Sequence, residues 1–513
     1  MSPEQIVHMK GIRKIYPDGT IALRGVDFSV KEGEIHGLLG ENGAGKTTLM
    51  NILYGLIPPT SGEIYLRGEK VEINSPREAM EMGIGMVHQH FMLIPTFSAL
   101  DNIILGREPL SGPLTIDRRS ARKEIEALME ETGLKVDLDA LVENLPVGIQ
   151  QRIEILKMLY KKAEILILDE PTAVLTPIEV RELFSFLRKM KESGKTIIFI
   201  THKLKEVKAI ADRVTVLRRG EVIGVRDAKD VEIPELARMM VGRDIKMKIE
   251  KRPPSLGEEV LIVKDLWVKD DRGRDAVRGL SFSVRAGEIF GIAGVEGNGQ
   301  SELVEAICGL RKVDRGSVIL CGVDATSMNP IKLYSLGLGH IPEDRHKWGI
   351  ILDFSVEENS IVGVHRNKKF LNSIGLMKGG EICKWADNIV KSFNVEVLSL
   401  KTPARSLSGG NQQKLIVGRE LSKNPRVVIA SQPTRGLDVA ATEYIRDLLL
   451  RMRDEGRAIL LVSADLDEVM SLSDRMAVMY EGRFTGIVDP EKVSEEQVGM
   501  MMGGISIGGS YEH

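Results

Sequence analysis

Cysteine, long apolar runs and charge of one sign are all scarce in this chain, and each scarcity closes off a class of protein. There are only three cysteines, Cys308, Cys321 and Cys383, far apart and with no CxxC spacing. So sparse and odd a set argues against a disulfide frame and suits a reducing cytoplasm. No apolar run reaches the roughly 18 residues that a spanning helix needs. The opening stretch "MSPEQIVHMKGIRKIYP" has no apolar core of the kind a signal peptide carries, so none is expected. Lysine and arginine total 70 against 73 acidic residues, well mixed, for a net charge of −3. Without a basic stripe or tail, nucleic acid is not an expected partner.

What is present is a 513-residue chain, 43% hydrophobic and 28% charged, ordinary for a globular protein and too long for one core. Its organisation is a repeat. "IALRGVDFSVKEGEIHGLLGENGAGKTTLMNILYGL" (21–56) matches "DAVRGLSFSVRAGEIFGIAGVEGNGQSELVEAICGL" (275–310). "ILILDEPTAVLTP" (165–177) matches "VVIASQPTRGLDV" (427–439), and "LARMMVG" (236–242) matches "VGMMMGG" (498–504). The offset is steady within each region and slightly larger in the later ones, as one duplication with a small insertion would give. Short apolar strands such as "EILILD" (164–169) and "TIIFIT" (196–201) alternate with helical segments, which predicts a buried, mainly parallel sheet in each half. "GRDIKMKIEKRPPSLGEE" (242–259), charged and containing Pro253 and Pro254, reads as an exposed linker. Expected boundaries are a first domain over 1–245, a linker over 246–258, a second domain over 259–504 and a tail over 505–513.

The first half carries "GENGAGKTT": Gly40, Glu41, Asn42, Gly43, Ala44, Gly45, Lys46, Thr47 and Thr48. This is a phosphate loop, placed after one strand and before one helix, where it belongs. Small residues let backbone N–H groups ring a phosphate, and the helix N-terminus adds partial positive charge. Lys46 is expected on the β- and γ-phosphates and Thr47 on Mg²⁺. Downstream, Asp169 and Glu170 end an apolar strand, Asp169 as a second candidate for the metal and Glu170 as the group that orients or deprotonates water. His88 and His90 flank Gln89 without a nearby third ligand, so they do not read as a metal site. His36 reads as a core histidine.

"LSGGNQQKLIVGRELSKNP" (407–425) resembles the signature segment of ABC-type ATPases, and the resemblance extends over nearly the whole chain. It implies an α/β fold of two tandem P-loop NTPase domains, each with a mainly parallel sheet, an antiparallel β subdomain and a helical subdomain. It implies ATP and Mg²⁺ as ligands. It makes Gln89 the Q-loop residue, a metal and water contact, His202 the histidine that completes the catalytic set with Glu170, and Tyr16 the aromatic that stacks on adenine. The tandem form with "IPEDR" (341–345) resembles ATP-binding subunits of bacterial sugar and nucleoside importers, and three segments (86–106, 147–177, 339–349) resemble the nucleoside branch more. That resemblance implies two membrane permease subunits, docking on 90–103 and 345–359, an external solute-binding protein, and a peripheral position on the cytoplasmic face of the membrane. A sugar importer is the alternative, and a soluble ABC protein acting on ribosomes a more distant one.

In that family two domains pair head to tail, each ATP lying between the Walker motifs of one and the signature of the other. Pairing this chain crosswise sorts its departures. The first composite site has Lys46, Thr47, Asp169, Glu170, Gln89 and His202 facing Ser408, Gly409, Gly410, Asn411 and Gln412; only Asn411 departs from the usual pattern. The second site takes its loop from "GVEGNGQSE", keeping Gly294, Gly297, Gly299 and Ser301 but placing Gln300 where lysine belongs. Ser431 and Gln432 replace the carboxylates, Ala464 the histidine and Glu343 the Q-loop glutamine. Pro146 and Val147 replace the serine and first glycine of its signature. Losing the lysine forfeits a charge-assisted contact worth roughly 1.5–3 kcal/mol. At that site weak nucleotide binding with negligible turnover is expected.

Overall fold

The computed structural model describes residues 5–89, 91–112, 115–173, 175–242 and 251–505. His90, the first part of the expected linker and the tail beyond residue 505 lie outside the described residues. The chain divides into two compact units, Met1–Met247 and Lys248–His513.

In unit 1 a six-stranded sheet runs in the order Glu221–Asp227, Arg213–Arg218, Ile35–Leu39, Thr196–Thr201, Ile165–Asp169, Ile84–Val87. All neighbours are parallel except the antiparallel edge pair Glu221–Asp227 with Arg213–Arg218. Ile35–Leu39, Ile165–Asp169 and Thr196–Thr201 are buried along their whole length, which is why they are apolar without alternation. A separate antiparallel sheet is built from Gln5–Ile15, Ile21–Lys31, Ser61–Leu66 and Glu69–Val71. Its longer strands alternate buried with exposed residues, as a sheet covered on one face should. Helices Ala99–Ile104, Arg118–Thr132 and Val147–Tyr160 form the helical part around Ile103, Ala121, Ile125 and Ile153.

Unit 2 repeats this plan. Reading Arg483–Val488, Arg475–Tyr480, Ile289–Ala293, Ala458–Ser463, Val427–Ser431, Leu338–Ile341 gives the same strand order. An antiparallel sheet of Asp275–Arg285, Glu259–Lys269, Arg315–Leu320 and Val323–Asp324 accompanies it. Even the unusual backbone repeats: Lys162 and Asn424, and Glu170 and Gln432, share positive φ at matching positions. The α/β expectation of two P-loop domains is borne out. Residues 251–258 are irregular and mostly exposed, with Lys251 Nζ donating to the Ser473 carbonyl and Arg453 to that of Arg252.

Candidate active site

Strand Ile35–Leu39 ends at Gly40, and helix Lys46–Leu53 starts after Gly45, whose φ of 104° suits only glycine. A side chain on Gly40 would strike the Leu217 carbonyl, so the loop must be bare to lie against the sheet. Lys46 is buried, and its ammonium donates to the carbonyls of Gly40 at 2.7 Å and Glu41 at 3.0 Å. Burial holds its pKa below the ordinary lysine value, against the pull of Glu170, Asp169 and Glu41. Thr47 Oγ1 donates to Asp169 Oδ2 at 3.1 Å, so two of the three expected metal contacts are brought together, while the third, Gln89, bonds to Glu170. Tyr16 lies beside the same helix, its hydroxyl 3.4 Å from Thr48 Oγ1.

Strand Ile165–Asp169 carries the carboxylates to the same edge. Burial pushes Asp169 up to about 6, with the Glu170 charge adding to it and the Thr47 bond and Lys46 opposing. Glu170 sits just past the strand with φ of 48°, a strained backbone for a side chain of its size. Its Oε1 is 2.8 Å from His202 Nδ1, and its Oε2 accepts from Gln89 Nε2 at 3.3 Å. Burial would raise its pKa, but the His202 bond and the charges of His202, Lys46 and Lys203 outweigh burial and hold it below the usual value. One carboxylate, Glu170, is therefore kept ionised and aimed between two residues far apart in sequence, while burial raises the cost of charging its neighbour Asp169. His88 is not part of this set; its ring packs edge-on against Tyr54.

The intact signature opens helix Gly409–Leu421 in unit 2. Ser408 Oγ caps it, accepting from the Asn411 backbone N–H at 3.3 Å and the Asn411 amide at 3.1 Å. With both lone pairs used, its hydroxyl proton is left to donate. Gly410 is buried against Ala441, where a side chain would crowd. Asn411 and Gln412 turn inward: Asn411 Oδ1 accepts from Glu396 N–H, and the Gln412 amide donates to the carbonyls of Ala404 and Leu407. They brace the loop that presents Ser408 and Gly409. In unit 1 the matching helix Val147–Tyr160 begins after Pro146 with no side-chain cap.

The second loop has the same outline but is filled from within. Gly299 has the φ of 104° seen at Gly45. Gln300 folds back over the loop, its Oε1 accepting the Asn298 N–H at 3.1 Å and its Nε2 donating to the Val295 carbonyl at 3.0 Å. Ser301 Oγ donates to Glu343 Oε2 at 2.8 Å, and Arg435 bridges Glu343 at 2.9 Å and Glu296 at 3.0 Å. Gln432 Oε1 accepts from Ala464 N–H at 3.2 Å, a backbone bond in place of a pair with histidine. Ser431 is buried and uncharged. Neither Arg435 nor Glu296 was found by sequence reasoning. Glu296 lies inside the loop itself and Arg435 four residues beyond Ser431, so both could have been sought as a charged pair new to this half.

The chain matches the ABC transporter family over residues 23–173 and again over 277–435. It is 50% identical over 501 residues to a guanosine import ATP-binding protein of Bacillus subtilis, covering 98% of each chain. It is 47% identical over 507 residues to a nucleoside import ATP-binding protein of Lactococcus lactis, covering 99% of this chain and 100% of that one. Its fold is shared with archaeal ribosome recycling factor aABCE1, solved in complex with ribosomal stalk protein aP1, at a TM-score of 0.59 and 18% identity, over 92% of this chain and 88% of that one. With an ATP-type phosphate loop in one half and a duplicated P-loop fold throughout, the chain belongs to the ABC transporter family as a tandem-domain, ATP-binding ATPase.

Proposed function

We propose that this ATPase powers uptake of nucleosides through membrane permeases, hydrolysing ATP at one composite site. Support for the solute class comes from the two nucleoside-type relatives, at 50% and 47% identity, ahead of a glucose import protein of Haloferax volcanii at 43% and a ribose import protein of Rubrobacter xylanophilus at 42%. The permeases, two of them, would dock near the Q-loops. Met92 and Phe97 in unit 1 and Trp348, Ile351 and Phe354 in unit 2 are exposed apolar residues within the expected docking stretches. No helix among the described residues is long and apolar enough to cross a membrane, which fits a peripheral subunit at the cytoplasmic face. An external binding protein would deliver the solute.

The observation that carries the mechanism is the placement of Glu170 between His202 and Gln89. Lys46 and the loop N–H groups of unit 1 would hold the β- and γ-phosphates. Signature residues Ser408, Gly409 and Gly410 would close on the γ-phosphate, donating from a hydroxyl and from a helix N-terminus. Glu170, ionised, would take a proton from the attacking water or align it, with His202 fixing the carboxylate. Water exclusion and a fixed line of attack supply much of phosphoryl-transfer catalysis. Thr47 and Asp169 are hard oxygen donors 3.1 Å apart, and burial penalises the Asp169 charge, so these two residues would hold a small dication. When bound, Mg²⁺ would neutralise phosphate charge there. The domain limits of 1–245 and 259–504 go with this reading.

Uptake of labelled nucleosides and sugars in a strain deleted for this chain tests the solute. Lost nucleoside uptake with intact sugar uptake supports the reading. Lost sugar uptake alone would transfer it to the sugar branch.

A further inference from the structure

Helix Leu204–Ile210 follows the turn that carries His202, just past strand Thr196–Thr201, and holds one buried carboxylate, Glu206. Its Oε1 accepts from Thr172 Oγ1 at 2.6 Å, and its Oε2 accepts from Thr201 Oγ1 at 2.8 Å. Thr172 lies in the turn two residues past Glu170; Thr201 immediately precedes His202. Thr201 Oγ1 also accepts the Lys203 backbone N–H at 3.0 Å, so the whole His202 turn is tied to the same group.

Unit 2 has the same parts but not the same closure. Glu468 matches Glu206, Thr434 matches Thr172 and Ser463 matches Thr201. Thr434 Oγ1 donates to Glu468 Oε1 at 2.8 Å. Ser463 Oγ instead lies 3.4 Å from Gln432 Oε1, and Glu468 Oε2, fully buried, has no partner. In unit 1 a hydroxyl thus holds each oxygen of the carboxylate, whereas in unit 2 Thr434 and Arg446, the latter at 3.5 Å, share Glu468 Oε1 and no hydrogen bond is made to Oε2.

We propose that Glu206 is a positioning residue for hydrolysis, a clasp that fixes Glu170 and His202 relative to each other by holding Thr172 and Thr201 at once. The need for it follows from the backbone. Glu170 has positive φ, a conformation costing about 1–3 kcal/mol that persists only when neighbours over-determine it. The threonine turn on one side and the strand end on the other, already joined by the Glu170 N–H to the Ile200 carbonyl and by the Glu170–His202 bond, are both held by Glu206. The carboxylate accepts from both hydroxyls, which sets the spacing of the turns without touching nucleotide.

The inference rests on Glu170 being the group that acts on water, and the test separates the two ideas. ATPase kinetics of the full-length chain are measured for Glu206→Gln, for Glu468→Gln as the matched change in unit 2, and for Glu206→Gln combined with His202→Ala. The expected result is a fall in kcat of about a hundredfold for Glu206→Gln, the scale of a small misplacement of reacting groups. KM for ATP should stay constant, Glu468→Gln should keep wild-type kcat, and the Glu206 penalty should vanish on the His202→Ala background. Thermal unfolding of each variant is followed alongside; if Glu206→Gln does not fold, Thr201→Val and Thr172→Val, each removing one grip, are measured in its place and should lower kcat likewise. Equal losses from the Glu206 and Glu468 variants, a penalty that survives without His202, or unchanged kcat would overturn the clasp. Substantial activity in Glu170→Gln would overturn the underlying reading instead.

Discussion

The two phosphate loops of this chain have one backbone and opposite contents. Gly45 and Gly299 share a φ of 104°, and each loop leads from a buried strand into an eight-residue helix. In unit 1 the side chain after that glycine is a buried ammonium held by two loop carbonyls. In unit 2 it is an amide that also takes up a loop N–H, the kind of donor a phosphate would use. Around the first loop stand a carboxylate pair and a histidine; around the second stand a serine, a glutamine and an alanine. An Arg435–Glu343–Ser301 chain lies across its face. The shape of a nucleotide site is inexpensive to keep because glycine positions and strand order maintain it. Its chemistry depends on a few side chains that the fold does not need.

Changing those side chains one at a time breaks or sharpens the contrast. The largest effect belongs to Glu170→Gln, which should lower steady-state ATP turnover by about 10²–10⁴-fold, the usual weight of a positioned acid–base group. The reverse change in the other unit, Gln432→Glu, should add no turnover, because Ala464, Ser431 and Gln300 remain. Next comes Lys46→Gln, which gives unit 1 the residue of unit 2. Loss of a charge-assisted contact should weaken binding of a fluorescent ATP analogue by roughly 10- to 100-fold. Gln300→Lys alone should leave turnover unchanged.

Smaller effects probe the filled loop and the strand beneath the active one. Gln300→Ala removes two loop hydrogen bonds, so amide hydrogen exchange over 294–300 should quicken while ATP turnover holds. The last contrast concerns His36, fully buried, with Nδ1 2.9 Å from Glu34 Oε1 and Nε2 2.8 Å from Thr215 Oγ1. Unit 2 has Phe290 and Ala477 at the matching places. Burial holds His36 below its ordinary value of 6.5, although the bond and charge of Glu34 and the charge of Asp212 pull upward and Arg213 assists burial. The neutral ring is the one the fold accepts. Its contribution is complete above pH 6.5 and shrinks as pH falls through that value. His36→Phe with Thr215→Ala should flatten the acid side of a melting-temperature profile, by about 2–4 °C for each kcal/mol removed.

Much of this was legible in the sequence because the physics is local. A loop that must admit backbone to phosphate shows as glycine, and strands buried on both faces show as unbroken apolar runs. Comparing the halves placed the retained and lost groups at Lys46 and Gln300, Asp169 and Ser431, His202 and Ala464. What the sequence did not reveal is where side chains go once their old partners are gone. Gln300 reads as a missing charge, not as a group that bonds back into its own loop. Asn411 and Gln412 read as nucleotide contacts by position in a motif, yet both side chains turn inward, Asn411 accepting the Glu396 N–H and donating to Ser408 Oγ, Gln412 donating to the carbonyls of Ala404 and Leu407. Glu206 was legible in principle, since glutamate and threonine recur at the matching positions Glu468 and Thr434. Only three-dimensional contacts show that its second grip is made in one unit and not in the other.

The central claim is that hydrolysis occurs at one composite site alone, the one built on the phosphate loop of unit 1. Trapping with vanadate and a photoreactive, radiolabelled ATP analogue, followed by proteolysis and peptide mapping, tests it directly, because trapping requires passage through hydrolysis. The account predicts label on peptides around Tyr16 and the 40–48 loop, and none around the 294–302 loop. Comparable trapped label on peptides around the 294–302 loop would contradict it.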